Sequence, residues 1–356
     1  MISSAPFSLF RRARTHQVPG AVLVLVAMTL LHTGSALATE VFDTVGPAGT
    51  TWLRLSFAAL VLLACTGRPL WRVVRTAPRA DLAATALLGA VSAGMMLLFS
   101  EAAARLPLGT AVALEFLGPL TVAVVSLRHR TELAWLILAA GGVLMLTSPW
   151  SGGADAVGVL FGLGSGACWG LYVIGTRHVG SRFPAHLGLA LSLAVAAVVT
   201  APFGVPGVLA EPRWEVFAAV AGIALLMPLV PFLLEMTALQ RMGTTAYGTL
   251  VGLEPAVGLL AGLVLISQTP TVLQAAGTAL VVVAGIGAAR AESRGRSDRV
   301  VARGTEGAAS AGRPTEDGGA AYPGSTGPGL SGSPASEGLG GQAPVSSPPA
   351  GRPGAP

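Results

Sequence analysis

Lysine is absent from this chain of 356 residues, and charged residues make up only 11% of it. A soluble domain carries about 25% charged residues, so the chain has less than half the charge that a water-facing surface needs. Hydrophobic residues reach 52%, and the mean hydropathy is +0.69. Many of the charges stand before Val18 or after Ala289, which leaves the middle nearly neutral. These deficits exclude a soluble globular protein and indicate an exterior that faces lipid.

Other absences exclude classes of function. Without lysine the chain has no Walker A motif, and it has neither an H-E-x-x-H metal helix nor a G-x-S-x-G nucleophile turn. No basic stripe interleaves with aromatic residues, which argues against nucleic-acid binding. Cys65 and Cys168 lie in or at the ends of apolar runs, so small buried hydrophobes are favoured over a disulfide or metal site. We therefore expect no enzyme, metal, cofactor or nucleic-acid partner.

What the sequence does contain is a series of long apolar runs. A bilayer core of roughly 30 Å needs around 20 apolar residues per helix. We therefore expect an all-α integral membrane protein with ten transmembrane helices, and a first helix that is retained rather than cleaved as a signal peptide. The weakest span is the eighth, because Pro228 and Pro231 interrupt it. The predicted spans are 18–38, 48–65, 82–104, 109–127, 132–148, 157–175, 186–203, 215–235, 245–266 and 271–289.

Arginine alternates between the loops, which predicts the orientation of the chain. Alternate loops and both ends contain most of the arginines, whereas the opposite loops offer only Arg105 and Arg213. Both termini should therefore be cytoplasmic in a multi-pass protein of the plasma (inner) membrane, with residues 1–17 as a cytoplasmic segment. Residues 291–356 are rich in Gly, Pro, Ser and Ala without apolar periodicity, which predicts a disordered cytoplasmic tail.

One stretch of the sequence occurs twice. Arg105–Pro119 resembles Arg241–Pro255 at a constant offset, and the copies open the fourth and ninth spans. The repeat unit is then five helices, 18–149 and 150–290, and an odd number makes the second copy cross the membrane in the opposite sense. Inverted repeats of this kind are typical of secondary transporters, whose site lies near the midplane.

Pro119 and Pro255 recur at matched positions near the middle of these two spans. A proline there removes one backbone hydrogen bond and frees a carbonyl group. Two interpretations are open: a helix break that forms part of a site, and a structural kink in a membrane helix. Their recurrence beside carboxylates favours a helix break at a site.

The repeated stretch also carries a family resemblance. The run 107–120, PLGTAVALEFLGPL, resembles the fourth helix of the threonine/homoserine exporters, which belong to the EamA-type drug/metabolite transporter superfamily. The runs 231–239 and 248–256 are similar to the matching segments of the second half, and 166–172 and 53–55 also match.

The resemblance covers about residues 20–290, and it implies export of small amino acids, with threonine and homoserine as the favoured examples. Another small metabolite or a drug-like cation is the alternative cargo, and a passive facilitator is an alternative mechanism. Protons are the candidate coupling ion, membrane lipid surrounds the chain, and a homodimer is left open. Many relatives have Gly-Glu after the ninth span, where this chain has Ser267-Gln268, so that carboxylate is missing here.

Ionisable residues inside the spans are the candidate substrate-binding groups, since each costs about 2.5–3.5 kcal/mol at mid-bilayer. Glu115 and Glu254 lie furthest inside apolar helices, and Glu235 gains from the resemblance. They are candidates to meet an ammonium group or exchange a proton; structural hydrogen bonding is the alternative. Arg54 is a candidate for a substrate carboxylate, or else it extends to the interface or pairs with a glutamate.

Trp169 and Tyr172 are three residues apart, on one helical face, where they line the cavity or simply pack. His32 is expected to be a hydrogen-bonded structural histidine. Packing or interfacial solvation is favoured for Glu101, and a topological role for Arg105 and Arg241.

Overall fold

The structure is a computed structural model, which describes residues 19–125, 133–148, 155–180, 182–210, 212–242 and 244–311. Within these ranges it is helical, without a strand. The helices are α1 (Gly20–Thr39), α2 (Phe42–Thr76), α3 (Arg79–Ala103), α4 (Leu108–Val125), α5 (Leu133–Thr147), α6 (Ala156–Gly180), α7 (Ala185–Ala210), α8 (Trp214–Ala224), α9 (Val230–Arg241), α10 (Thr244–Val251), α11 (Glu254–Leu265) and α12 (Val272–Ala311).

The helices confirm a multi-pass membrane protein. In the described part of the chain, nine helical stretches are long and apolar enough to cross a membrane, and α5 is apolar but shorter. All ten coincide with predicted spans, although two bounds were wrong. The second span begins at Phe42 rather than 48, because Gly46 takes φ 75° and lets the helix bend ahead of Pro47. The seventh continues to Ala210, past its two prolines.

The eighth span is interrupted, as predicted. Helix α8 ends at Ala224, a π-helical turn covers Leu225–Leu229, and α9 follows from Val230. Pro228 lies within this turn, and Met227 before it has the non-helical angles φ −152° and ψ 109°. Proline has no backbone N–H group, so it cannot continue the α-helical hydrogen-bond pattern. The helix widens to a π-helical turn at this point.

The prediction that structure ends near residue 291 was wrong. Helix α12 continues to Ala311, and its extension contains Ala, Arg and Glu, which favour helix even without an apolar face. The chain divides into a unit of residues 1–305, which holds the apolar helices, and a unit of residues 306–356. The predicted disorder of 312–356 lies outside the described residues, as does the predicted N-terminal segment 1–17.

Small residues bring the helices of the first unit together. Helix α4 packs on α6 and α11, α2 packs on α7, and α3 packs on α6 and α7. A β-carbon at Gly118 of α4 would collide with the carbonyl oxygen of Gly166 on α6. Gly142 of α5 and Gly277 of α12 meet in the same way. Such close backbone contact is how membrane helices gain packing energy without a hydrophobic effect between them.

Replacing Gly118 with alanine should separate α4 from α6. The added methyl group collides with backbone, so we expect a loss of about 1–3 kcal/mol in the free energy of unfolding. Gly141→Ala is the matched control, because a β-carbon there meets nothing within 4 Å. The measurement is the midpoint of thermal unfolding in detergent. Equal midpoints for both variants would contradict this packing.

Candidate functional site

Four of the predicted ionisable residues meet inside the helix bundle. Arg54 of α2 is only 1% exposed and Glu254 of α11 only 6%. Glu115 of α4 and Glu235 of α9 are half-buried. Glu115 interacts electrostatically with both Arg54 and Glu254, and Glu254 also interacts with Glu235. The sequence predicted these residues individually, and the structure places them in one charged cluster.

Arg54 is held by an unusual partner. Its Nη1 donates to the sulfur of Met227 at 3.1 Å, and the hydroxyl of Ser35 donates to the same sulfur at 3.1 Å. Among the described residues, Nε and Nη2 of Arg54 find no hydrogen-bond partner. A buried guanidinium with two unused nitrogens can donate from both of them to one carboxylate. Sequence reasoning missed Met227; its only signal was the neighbouring Pro228.

Glu115 is connected to α6 and α3 through one hydroxyl group. The Oγ of Ser165 lies 2.7 Å from Oε1 of Glu115 and 2.9 Å from the carbonyl oxygen of Met95. A serine hydroxyl has one proton to donate. When the carboxyl group of Glu115 carries a proton and donates it to Ser165, the hydroxyl of Ser165 is free to donate to the carbonyl group of Met95. Sequence reasoning did not select Ser165.

Glu254 faces His32 of α1 across 3.8 Å, measured from Oε1 to Nε2. This separation is too long for a hydrogen bond. His32 is 3% exposed, and neither ring nitrogen has a hydrogen-bond partner among the described residues. The expectation of a hydrogen-bonded structural histidine was therefore wrong. An unpaired buried imidazole beside a carboxyl group is a further polar group of the cluster.

Two tyrosines border Glu235. Tyr247 of α10 hydrogen-bonds with the carboxyl group of Glu235, and the phenol of Tyr172 on α6 interacts electrostatically with it. Tyr247 lies in the repeated stretch, but sequence reasoning did not select it. Trp169 lies differently: it meets Phe116 edge to face, with ring centroids 6.3 Å apart, and packs against the buried core around α4 and α5.

The two repeated prolines differ in their surroundings. Pro255 stands in the first turn of α11, directly after the turn at Gly252 and Leu253 that separates α11 from α10. Pro119 lies inside α4, which continues as helix to Val125. The expected helix break at Pro119 is therefore wrong. Membrane helices tolerate an internal proline when neighbours pack closely, and Gly118 lies against α6 at this point.

Two cavities lie away from the charged cluster. One of about 280 Å³ is lined by apolar residues of α2 and α8 around Phe57 and Ala221. The other, of about 350 Å³, lies between the start of α4 and the loop before α12. Neither is lined by Arg54, Glu115 or Glu254. The charged groups are thus closed off from both cavities in this conformation.

Substituting Met227 should cost stability through Arg54. Met227→Leu keeps the volume but removes the acceptor of two hydrogen bonds, so we expect a loss of about 1–3 kcal/mol in the free energy of unfolding. Met28→Leu is the matched control, since Met28 is equally buried in α1 and packs among apolar residues. Thermal unfolding in detergent compares the two variants. A loss no larger than that of the control would show that the sulfur contacts contribute nothing.

Comparison with known proteins indicates where this arrangement belongs. The EamA-like transporter family matches residues 156–289. The threonine/homoserine exporter RhtA of Escherichia coli (strain K12) is 34% identical over 270 residues, which cover 75% of this chain and 90% of that protein. RhtA of Salmonella typhimurium (strain LT2) shows the same identity and coverage. A crystal structure with 20% sequence identity superposes with a TM-score of 0.53 over 75% of this chain and 94% of that one, which shows a shared fold. The chain belongs to the EamA-like transporter family.

Proposed function

We propose that this chain is a secondary transporter that exports small amino acids resembling threonine or homoserine across the plasma (inner) membrane. The observation that carries the proposal is the charged cluster, in which one buried arginine with two unpartnered nitrogens lies in the field of Glu115. A zwitterion needs a cation and a carboxylate at short separation, and this cluster supplies both. The 34% identity to a threonine/homoserine exporter supports the same cargo.

Arg54 binds the carboxylate of the amino acid in this proposal. Its planar guanidinium matches a carboxylate through two parallel hydrogen bonds. Nε and Nη2 lack hydrogen-bond partners among the described residues. The two nitrogens share one edge of the guanidinium group, where both can donate to the oxygens of a single carboxylate. Glu115 and Glu254 then receive the ammonium group. These ion pairs with the substrate offset the cost of removing the side chains of Arg54 and the glutamates from water.

Proton antiport provides the coupling. The cluster holds three carboxyl groups and one arginine, which interacts with Glu115, so an empty site is easier to close when some of the carboxyl groups carry protons. The hydroxyl of Ser165 lies between the carboxyl group of Glu115 and the carbonyl group of Met95, an arrangement that suits a proton on Glu115. Release of that proton as the amino acid enters would link the two movements.

Ten transmembrane helices in two inverted five-helix repeats, with both termini cytoplasmic, are the architecture that we propose. The helix pairs support it, because moving five spans along the chain converts one observed pair into another. The pair α3 and α6 corresponds to α9 and α1, and the pair α4 and α6 corresponds to α11 and α1. The corresponding helix pairs also carry polar contacts. Glu115 meets Ser165 between α4 and α6, and Glu254 meets His32 between α11 and α1. A frame of two equivalent halves suits alternating access.

A drug-like cation is the second candidate cargo. It is favoured by the excess of carboxyl groups in the cluster, where Glu115, Glu235 and Glu254 outnumber Arg54. A cation that has no carboxylate would bind to the glutamates and make no contact that requires Arg54. Arg54→Gln separates these cargoes, since it should abolish amino-acid export and spare export of a cation.

Glu254→Gln should remove export driven by a pH gradient. The side chain keeps its size but no longer exchanges a proton or attracts an ammonium group, so we expect efflux to fall about tenfold or more. The assay follows loss of labelled threonine and homoserine from preloaded cells with and without the chain. Glu101→Gln is the control, because Glu101 pairs with Arg105 at 4.0 Å in a partly exposed position. Undiminished gradient-driven efflux in Glu254→Gln would refute the coupling role.

Ser165→Ala should weaken the same coupling without removing a charge. Loss of the hydroxyl leaves the carboxyl group of Glu115 without its 2.7 Å partner, and we expect efflux to fall by about threefold to tenfold. Ser192→Ala is the control, since the buried Ser192 bonds only within its own helix to the carbonyl group of Leu189. Initial rates at several internal pH values provide the measurement. Identical pH profiles for Ser165→Ala and the unmodified chain would contradict a link through this hydroxyl.

A further inference from the structure

The cavity of about 350 Å³ at the start of α4 has features of a binding site. It lies between α4, α11 and the loop that leads to α12, away from the charged cluster. Its lining is uncharged and largely apolar, with threonine and glutamine side chains among the apolar groups. The lining residues are Pro107, Gly109, Thr110, Leu259, Gln268, Thr269, Pro270, Thr271 and Gln274.

Two helices begin at this cavity. The first N–H group of α4, at Leu108, donates to Oε1 of Gln268 at 2.8 Å. At the start of α12 the side chains of Thr271 and Gln274 cap each other's backbone N–H groups at 2.9 and 3.2 Å. Each glutamine thus uses its oxygen on a helix end and presents its Nε2 group as a donor. The N-terminal ends of two helix dipoles add positive potential at the same place.

Thr110 supplies the independent sign of a ligand. Its side chain is 2% exposed and lines the cavity, yet its hydroxyl has no hydrogen-bond partner among the described residues. Threonines inside helices commonly bond back to the carbonyl group one turn earlier, as Thr121 of the same helix does with Leu117. A buried hydroxyl left without such a bond costs about 1–3 kcal/mol. Its oxygen is covered in this conformation, and rotation of the side chain about χ1 toward the cavity would bring the hydroxyl to a ligand acceptor there.

We propose that this cavity is an external subsite that binds the carboxylate of the exported amino acid after it leaves the charged cluster. The identity of the ligand rests on the proposed function, and its placement on the external side rests on the proposed orientation. The donors that suit a carboxylate are the hydroxyl of Thr110 and the amide groups of Gln268 and Gln274, and the two helix dipoles add positive potential. Among the described residues, neither Asp nor Glu lines the cavity, which favours an anion over a cation.

Ser267 and Gln268 shape the subsite. Ser267 takes the left-handed value φ 55°, which turns the chain after α11, and Gln268 then reaches back to Leu108. A glutamate at position 268 could cap α4 in the same way, but its negative charge would repel a carboxylate in the cavity. The neutral glutamine therefore keeps the cap and makes the cavity receptive to anions.

Labelling of a cysteine at position 269 tests the subsite without requiring transport. Thr269 is exposed and lines the cavity, so Thr269→Cys should react with a membrane-impermeant maleimide added outside intact cells. The unmodified chain, with Cys65 and Cys168 inside membrane helices, gives the background. External threonine should slow the labelling, whereas threoninamide, which lacks the carboxylate, should not. Thr110→Val should raise the half-protecting concentration of threonine about tenfold.

Thr110→Ser retains a hydroxyl and Thr121→Val leaves the subsite intact, so both should preserve protection in chains present at equal abundance in the membrane. Acetate distinguishes a free anion from an amino acid: protection by acetate at the same concentration as threonine would overturn the amino-acid assignment. Protection by threoninamide, or protection unaffected by Thr110→Val, would overturn the subsite itself. Intact protection in a chain that exports neither threonine nor homoserine would refute the proposed function alone.

Discussion

The burial of Arg54 is the constraint on which the centre of this structure depends. Removing a guanidinium from water costs several kcal/mol, and hydrocarbon offers it no partner. The surrounding helices stabilise the guanidinium through a hydrogen bond to the sulfur of Met227 and through the electrostatic attraction of Glu115. Two of its nitrogens stay without hydrogen bonds among the described residues. The non-helical backbone at Met227 is part of this environment, because it interrupts the eighth span beside Arg54.

The helix contacts around the cluster depend on residues that have almost no side chain. Gly118 and Gly166 bring α4 and α6 into backbone contact, which holds Glu115 within reach of Ser165. Gly109 and Gly258 do the same between α4 and α11, which brings the helix of Glu254 beside that of Glu115. Close packing of this kind transmits strain instead of absorbing it. Small shifts of one helix therefore move the charged groups of another.

Hydropathy and charge in the sequence were sufficient to predict the position of the spans and to select the four ionisable residues of the cluster, because a charge deep in an apolar run is costly however the helix is rotated. They were insufficient for partners, which depend on how each helix is rotated. Met227 and Ser165 were missed for that reason: a thioether and a hydroxyl cost little in an apolar run, so neither is conspicuous in the sequence. The extent of α12 was missed because its last turns are helical by local propensity without an apolar face.

The stretch that occurs twice in the sequence does not align the carboxyl groups of Glu115 and Glu254 with each other. At the constant offset of the repeat, Glu254 corresponds to Gly118 and Glu115 corresponds to Val251. Glu254 consequently lies in the first turn of α11, beside a helix N-terminus and His32, whereas Glu115 lies inside α4 and meets a serine hydroxyl. Arg54 has no counterpart of its own charge in the cluster. The amino acid that we propose as cargo is chiral and carries different charges at its two ends, so the proposed frame of two equivalent halves can orient it only if the groups inside that frame are themselves asymmetric.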